Sequence, residues 1–224
     1  MQVPERNVMV SSTLTHDISV MPRGLPGFLT LPEAATGIVV FAHGSGSSRL
    51  SPRNQHVAQG LNKAGLATLL FDLLLPQEAD DRRNVFNIPL LATRLEEALN
   101  WLSGSKAARM SVGLFGASTG AAAALVAAAR HADEVRAVVS RGGRPDLAAT
   151  ALVRVKAPTL LIVGGYDDEV IRLNEAALAE LHCEKRLEIV PGATHLFEEH
   201  GTLDAVIELA TAWFVRFLGK GSET

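Results

Sequence analysis

Gly116-Ala117-Ser118-Thr119-Gly120 reads G-x-S-x-G, with a short apolar run before it and an alanine-rich run after it. In that order the residues can form a nucleophile elbow, a sharp turn that carries a serine from the end of a strand to the start of a helix. The glycines have a steric reason, since side chains two residues either side of the serine would crowd the neighbouring strand and helix. A serine hydroxyl is a poor nucleophile at neutral pH until a base takes its proton. Histidine, with an ordinary pKa of about 6.5, can take that proton and return it to a leaving group. A buried carboxylate can fix the imidazole tautomer and stabilise the imidazolium. The question is which histidine and which acid the fold would bring to Ser118.

The elements around the elbow answer it. Gly37 to Ala42 is a continuous apolar run, as expected of a strand buried on both faces. Pro52 opens a helix to about Ala64, Gly65 stops it, and Leu66 to Phe71 is the next buried strand. Asp72 to Pro89 reads as a long solvated loop, and Leu90 to Leu102 returns to helical spacing. Met110 to Phe115 is the strand before the elbow and Ser118 to Arg130 the helix after it. Val135 to Ser140, Thr159 to Gly164 and Arg186 to Val190 are further strands. A short helix near Asp146 to Val153, another over Val170 to Leu181 and a final one over Leu203 to Leu218 lie between and after them. Ahead of this alternation, Asn7 to Ser11 and Asp17 to Met21 alternate in polarity, and Pro22, Pro26 and Pro32 with Gly24 and Gly27 punctuate them. That pattern predicts antiparallel edge strands and turns.

Alternating strands and helices imply a mainly parallel, doubly wound sheet with helices on both faces and an antiparallel N-terminal edge. One domain over residues 1–224 is expected, with 1–36 as edge strands and 37–219 as the alternating core. In such sheets sites form at the carboxyl ends of the strands. There stand Ser118, then Asp167 and Asp168, then His195, in the chain order Ser, Asp, His. Asp167 is favoured as the acid, because Asp168 can serve as the N-cap of the helix that follows, the default role of aspartate there. Asp72 is the outside candidate. His200 is the rival to His195, and its neighbours Glu198 and Glu199 read as a solvated loop. His43 also ends a strand, but its place before Gly44 suits holding a loop. A tetrahedral intermediate needs donors for its oxyanion. The Thr119 amide is one candidate, and Ser45 in His43-Gly44-Ser45-Gly46 the other. Arg141 directly follows a strand and is expected to bind an anionic part of a substrate, with Arg49 and Arg144 assisting; Arg141 and Arg144 could equally be loop residues, solvated or paired with acids such as Asp146.

The remaining composition narrows the partners. The net charge of −3 and the lack of a long basic run argue against nucleic acid. The single cysteine, Cys183, excludes an internal disulfide framework and suits a reducing compartment. The N-terminus lacks the basic start and apolar core of a secretory signal, and the longest apolar run is too short for a membrane span. A cytoplasmic protein acting on a small-molecule ester is expected, without membrane partner, metal or cofactor. Gly44-Ser45-Gly46 with Asp72 also permits a dinucleotide-binding reading, but Arg49 replaces the third glycine of that fingerprint.

Phe41 to Arg49, the elbow, Gly164-Gly165-Tyr166-Asp167 with Val170, and Pro191-Gly192-Ala193-Thr194-His195 together resemble the dienelactone hydrolase branch of the α/β-hydrolases. The resemblance runs from about residue 37 to the C-terminus. It implies an α/β-hydrolase fold without a large cap domain and supports Asp167 over Asp168. Dienelactone hydrolases proper use a cysteine nucleophile, whereas Ser118 stands here and Cys183 lies elsewhere. The resemblance therefore implies a serine esterase cleaving a small ester, lactone or thioester through an acyl-enzyme. An acyltransferase or perhydrolase would use the same triad. Similar domains also occur fused to phosphoribosyltransferases, which leaves room for a salvage-related role.

Overall fold

The computed structural model describes residues 13–219, so the predicted alternating piece Asn7 to Ser11 lies outside the described residues. Among the described residues eight strands form one sheet: β1 (Thr13–Val20), β2 (Leu25–Pro32), β3 (Gly37–Ala42), β4 (Ala67–Phe71), β5 (Ser111–Ala117), β6 (Val135–Arg141), β7 (Thr159–Gly164) and β8 (Lys185–Val190). Their order across the sheet is β1-β2-β4-β3-β5-β6-β7-β8. Strand β1 pairs antiparallel with β2, and β2 pairs antiparallel with β4; from β4 onward every pairing is parallel. This is the α/β-hydrolase fold, with an antiparallel edge and short connections in place of a cap.

The helices are α1 (Pro52–Lys63), α2 (Pro76–Ala79), α3 (Arg82–Val85), α4 (Ile88–Ser103), α5 (Thr119–Arg130), α6 (Asp168–Glu180) and α7 (Thr202–Leu218), with a 3-10 segment over Pro145–Arg154. Helices α1 and α7 cover one face, packing on Val39, Phe41, Phe115 and Val139. Helices α4 and α5, the 3-10 segment and α6 cover the other, packing on Ile38, Val40, Leu114 and Val138. Strand residues therefore alternate between two separate cores, which explains why β3, β4 and β7 are buried throughout. The alanine run of α5 has a packing role. Ala121 to Ala124 are fully buried, and small side chains let this helix lie close between the sheet, α4 and the 3-10 segment.

Local signals place the boundaries. Pro52 opens α1 behind Ser51, whose hydroxyl accepts the Asn54 N–H. Gly65, at φ +82°, ends it in a left-handed turn in which the Leu66 N–H reaches back to the Leu61 carbonyl. The predicted loop at 72–89 is in part a correction: it contains α2 and α3, each of four residues, before α4 begins at Ile88. Helices this short leave no periodic signal to read.

Candidate active site

The strand ends are level. In register, Ala42 lies beside Gly116, Ala117 beside Arg141, and Gly164 beside Val190. The loops after β3, β5, β6, β7 and β8 consequently gather at one edge of the sheet, and the chemistry-bearing residues lie on them.

Ser118 takes φ 51° and ψ −122°, between the end of β5 and the first residue of α5. A non-glycine residue held there is strained by about 1–3 kcal/mol, and such strain persists only where the surroundings over-determine it. Here three backbone hydrogen bonds do so. The Ser118 N–H donates to the Arg141 carbonyl at 3.2 Å, and the Ser118 carbonyl accepts from Ala121 and Arg144, both at 3.1 Å. The glycines of the motif are required by contact. A Cβ on Gly116 would stand 2.4 Å from Ala121 Cα, and one on Gly120 would stand 2.2 Å from the Ala42 carbonyl oxygen. The first would strike the helix and the second the neighbouring strand.

His195 Nδ1 and Asp167 Oδ2 lie 2.6 Å apart, a short charge-assisted contact. The His195 side chain is partly exposed (38%), whereas Asp167 is mostly covered (16%). Asp167 is itself the N-cap residue of α6, but its carboxylate makes no capping bond because it is turned to His195. That corrects the expectation for Asp168, which is the exposed first residue of the helix rather than its cap. The loop carrying His195 is fixed from below by Glu199. Its carboxylate accepts the Thr194 N–H at 3.1 Å and the Thr194 hydroxyl at 2.6 Å, and these bonds hold its pKa below the ordinary glutamate value. His200 is exposed on the same loop and makes no such contact.

The elbow and the histidine loop meet around Gly142, whose φ is +50°. A Cβ there would lie 3.0 Å from the His195 carbonyl oxygen and 3.6 Å from His195 Cε1. The preceding residue, Arg141, holds the Ser118 amide. Ser118 and the His195 imidazole are thus seated on either side of one glycine.

The loop after β3 closes the site. A Cβ on Gly44 would be 3.1 Å from Ser118 Cβ, so this backbone runs directly against Ser118. The Ser45 N–H donates to Thr119 Oγ1 at 3.0 Å. That bond ties the two proposed oxyanion donors together, with the Ser45 amide engaged by the threonine hydroxyl. The Thr119 amide, as the first residue of α5, is one of the helix N-terminal donors that no intrahelical carbonyl satisfies. His43 shapes this loop from behind. Its Nε2 accepts the Leu73 N–H at 3.0 Å, which leaves Nδ1–H to donate to the Gly44 carbonyl at 3.0 Å. Burial lowers the His43 pKa, against weaker raising effects of Gly44 and Asp72. Beside the loop lies a cavity of about 320 Å³ lined by His43, Gly44, Ser45, Leu73, Leu74 and Val85, among others.

The three arginines part company. Arg49 is paired through its guanidinium and its backbone N–H to Asp72, and lies over the Phe28 ring. The same pairing occupies the carboxylate that a dinucleotide-binding reading would direct to a ribose. Arg144 makes a two-pronged pair with Asp146, at 2.9 and 2.8 Å. Arg141 is buried (7% exposed) without a carboxylate partner among the described residues, and it faces the Phe197 ring at 5.8 Å. Cys183 contacts the Thr159 hydroxyl at the amino end of β7, the opposite end of the sheet from Ser118. Sequence patterns do not single out Thr119 Oγ1, Glu199 or Phe197. Their roles come from contacts across loops, although Thr194 and Glu199, five residues apart on one loop, are open to pairing.

The sequence profile of the family described as "Alpha/beta hydrolase domain" matches residues 35–213. The crystal structure of a dienelactone hydrolase from Anabaena variabilis superposes with a TM-score of 0.88 at 56% sequence identity, covering 93% of this chain and 99% of that one. Est1E from Butyrivibrio proteoclasticus shares the fold, with a TM-score of 0.75 at 16% identity over 90% of this chain and 98% of its own. Two Mycobacterium tuberculosis proteins, from different strains and provisionally named phosphoribosyl transferases, are each 59% identical over 198 residues. That stretch is 88% of this chain but 45% of each of theirs, so the chain spans about half the length of the curated relatives it matches.

Proposed function

This chain belongs to the α/β hydrolase family, in its dienelactone hydrolase-like branch, and we propose that it is a serine hydrolase cleaving a small carboxylic ester, lactone or thioester. The observation that carries the reading is the 2.6 Å Asp167–His195 pair at the sheet edge where Ser118 is held in its strained turn. In the proposed reaction Ser118 Oγ attacks the substrate carbonyl carbon while His195 Nε2 takes its proton. Asp167, on Nδ1–H, keeps that tautomer and stabilises the imidazolium. The Thr119 amide and the Ser45 loop receive the oxyanion; the Ser45 N–H must turn from Thr119 Oγ1 to the developing charge. His195 then protonates the departing alkoxide or thiolate. Water, deprotonated by the same imidazole, cleaves the acyl-serine to the acid. The apolar cavity beside Gly44 is the natural place for the substrate's carbon skeleton, and its size suits a small one.

The phosphoribosyl transferase name belongs to proteins of about twice this length, and we assign hydrolysis to the portion shared with this chain. The chain is read as one hydrolase domain. Among the described residues no helix is long and apolar enough to cross a membrane. Its lone cysteine suits the cytoplasm, where we place it. The reading is tested with a fluorophosphonate probe. One equivalent should attach at Ser118, and Ser118→Ala should abolish both labelling and ester turnover, a loss of about 10⁶ in kcat. Labelling undiminished in Ser118→Ala would remove the reading.

A further inference from the structure

The two outermost strands of the sheet are built differently. Strand β8 carries Lys185, Arg186 and Glu188 along its length, the charged pattern that keeps an edge from pairing. Strand β1 reads Thr-Leu-Thr-His-Asp-Ile-Ser-Val, with one carboxylate and neither lysine nor proline. All eight of its residues pair with β2 in one unbroken register, so no bulge twists the edge away. Leu14 is 60% exposed on it. Among the described residues no strand pairs with its other side.

The backbone groups on that outer side can be identified. The Asp72 N–H donates to the Pro26 carbonyl, so Pro26 turns its polar backbone toward β4 and Gly27 turns its own toward β1. Gly27 lies opposite Ile18. Alternation along an antiparallel pair then aims the backbone of Leu14, His16, Ile18 and Val20 at β2. Thr13, Thr15, Asp17 and Ser19 keep their N–H and C=O directed outward. The side chains of these four share the α1 face, where Thr15 Oγ1 lies 3.0 Å from Thr30 Oγ1. There Thr13 and Thr15 border a groove of about 410 Å³ floored by Phe28 and Leu70 and lined from α1 by Gln59 and Lys63. Neither Lys63 nor Asp17 has an ion-pair partner among the described residues.

We propose that β1 is a dimer edge, on which β1 of a second copy of this chain pairs antiparallel about a two-fold axis at His16. A two-fold axis through such a strand pair sets one residue opposite itself, so few registers exist. Centring on Thr15 or Ile18 shortens the paired length, and centring on Asp17 opposes two carboxylates. Centring on His16 sets Leu14 opposite Ile18 of the second copy and Thr15 opposite its Asp17. The exposed leucine is thereby covered by an aliphatic side chain. The four outward residues exchange backbone hydrogen bonds with the same four of the second copy. Each Asp17 comes to lie along the open side of the other copy's groove, facing Lys63. Neighbouring strands are about 4.8 Å apart, a gap that the four-carbon stem of lysine spans. One strand pair and its flanking grooves make a small interface, so association in the micromolar range is expected.

The test is sedimentation equilibrium of the full chain from about 5 to about 200 μM, the range that suits a small interface. The apparent mass should rise from 23.8 kDa toward twice that value. Thr15→Pro removes an outward N–H without touching the β1–β2 ladder, and should hold the chain at the monomer mass. Asp17→Lys and Lys63→Glu should each raise the dimer dissociation constant about 10-fold, and the double variant should return it to within about 3-fold of wild type. In a Cys183→Ala background, oxidised His16→Cys should cross-link to its own copy, whereas Leu14→Cys, which faces Ile18, should not. None of these positions lies at the Ser118 end of the strands, so the outcome is independent of the hydrolase reading. A wild-type protein that stays at the monomer mass throughout, or a dimer that no variant weakens, overturns the proposal. Charge variants that weaken the dimer without recovery in the double, or a Leu14→Cys that cross-links as readily as His16→Cys, overturn the register. Should Thr15→Pro fail to fold by circular dichroism, the charge pair and the two cysteine variants decide.

Discussion

Replacing Asp167 by asparagine keeps the shape of the site and removes one charge. The carboxylate lies 2.6 Å from His195 Nδ1 and is mostly covered, so the pair is short and poorly screened. Asparagine can meet Nδ1 in two ways. Its carbonyl can accept the Nδ1–H, which preserves the tautomer but gives an imidazolium no anion beside it. Its NH2 can instead donate, which forces the proton to Nε2 and turns an N–H toward Ser118 in place of a lone pair. Either outcome removes the base that Ser118 needs. The corresponding change in a serine-protease triad lowers kcat by about 10⁴, or about 5.4 kcal/mol of barrier at about 1.36 kcal/mol per tenfold. Asp168 supplies the contrast. It is exposed at the start of α6 and touches the chemistry nowhere. Asp168→Asn should cost only its interaction with the helix dipole, about 0.3–1 kcal/mol of stability, and leave kcat unchanged. The assay is steady-state hydrolysis of a p-nitrophenyl ester by both variants, with circular dichroism to establish that each is folded. Because the three residues act as a unit, adding Asp167→Asn to Ser118→Ala should cost almost nothing further. An Asp167→Asn enzyme within tenfold of wild type, or an inactive Asp168→Asn, would refute the assignment.

Three further outcomes follow from contacts around the site. Gly120→Ala drives a methyl group to 2.2 Å from a backbone carbonyl and should destabilise by about 3 kcal/mol or more, whereas Gly104→Ala, whose nearest atom is 3.8 Å away, should be close to neutral; equal denaturant midpoints for the two would contradict this. Arg94, 2% exposed, pairs with Glu78 of α2 and Glu97 of α4, so Arg94→Met should cost about 2–3 kcal/mol, less than the about 3–5 of a fully buried pair because both acids keep some water. It should also raise KM for apolar esters, since Glu78 anchors the segment that carries Leu74 and Val85; an unaltered KM with lowered stability would confine Arg94 to a structural role. His43 has its pKa lowered by burial, so the unfolded chain takes up that proton first. Its contribution to stability is complete above about pH 6.5 and is lost as pH falls toward the folded-state value. Urea midpoints at pH 7.5 and 5.5 should separate more in the wild type than in His43→Asn, and parallel shifts would exclude His43 as the cause.

What could be read in the sequence, and what could not, divides along the range of the interactions. Gly37–Ala42, the G-x-S-x-G turn and the Ser, Asp, His order are local patterns, and they locate the strand ends because a parallel sheet brings those ends level by construction. Of the two elbow glycines, Gly116 avoids the helix of its own unit, whereas Gly120 avoids the end of β3, a neighbour only in the folded sheet. The four-residue helices α2 and α3 leave no periodic trace. The roles of Asp167 and Asp168 are set by a histidine 28 residues away, not by the helix they begin.

The arginines carry this furthest. From sequence, Arg49, Arg141 and Arg144 are alike: each follows a strand at the site edge. Their fates depend on whether the folded chain supplies an acid. Arg144 finds Asp146 two residues on, a pairing the local sequence allows. Arg49 finds Asp72 only because β3 and β4 are neighbours in the sheet, which sets the loop after one beside the end of the other. Arg141 ends β6, between β5 and β7, and the loops on either side offer Ser118, which is neutral, and Asp167, which is already held by His195. The commitment of Asp167 to the imidazole thus leaves Arg141 without that acid. The same hydrogen bond that orients His195 leaves Arg141 buried at the site edge with no carboxylate partner among the described residues.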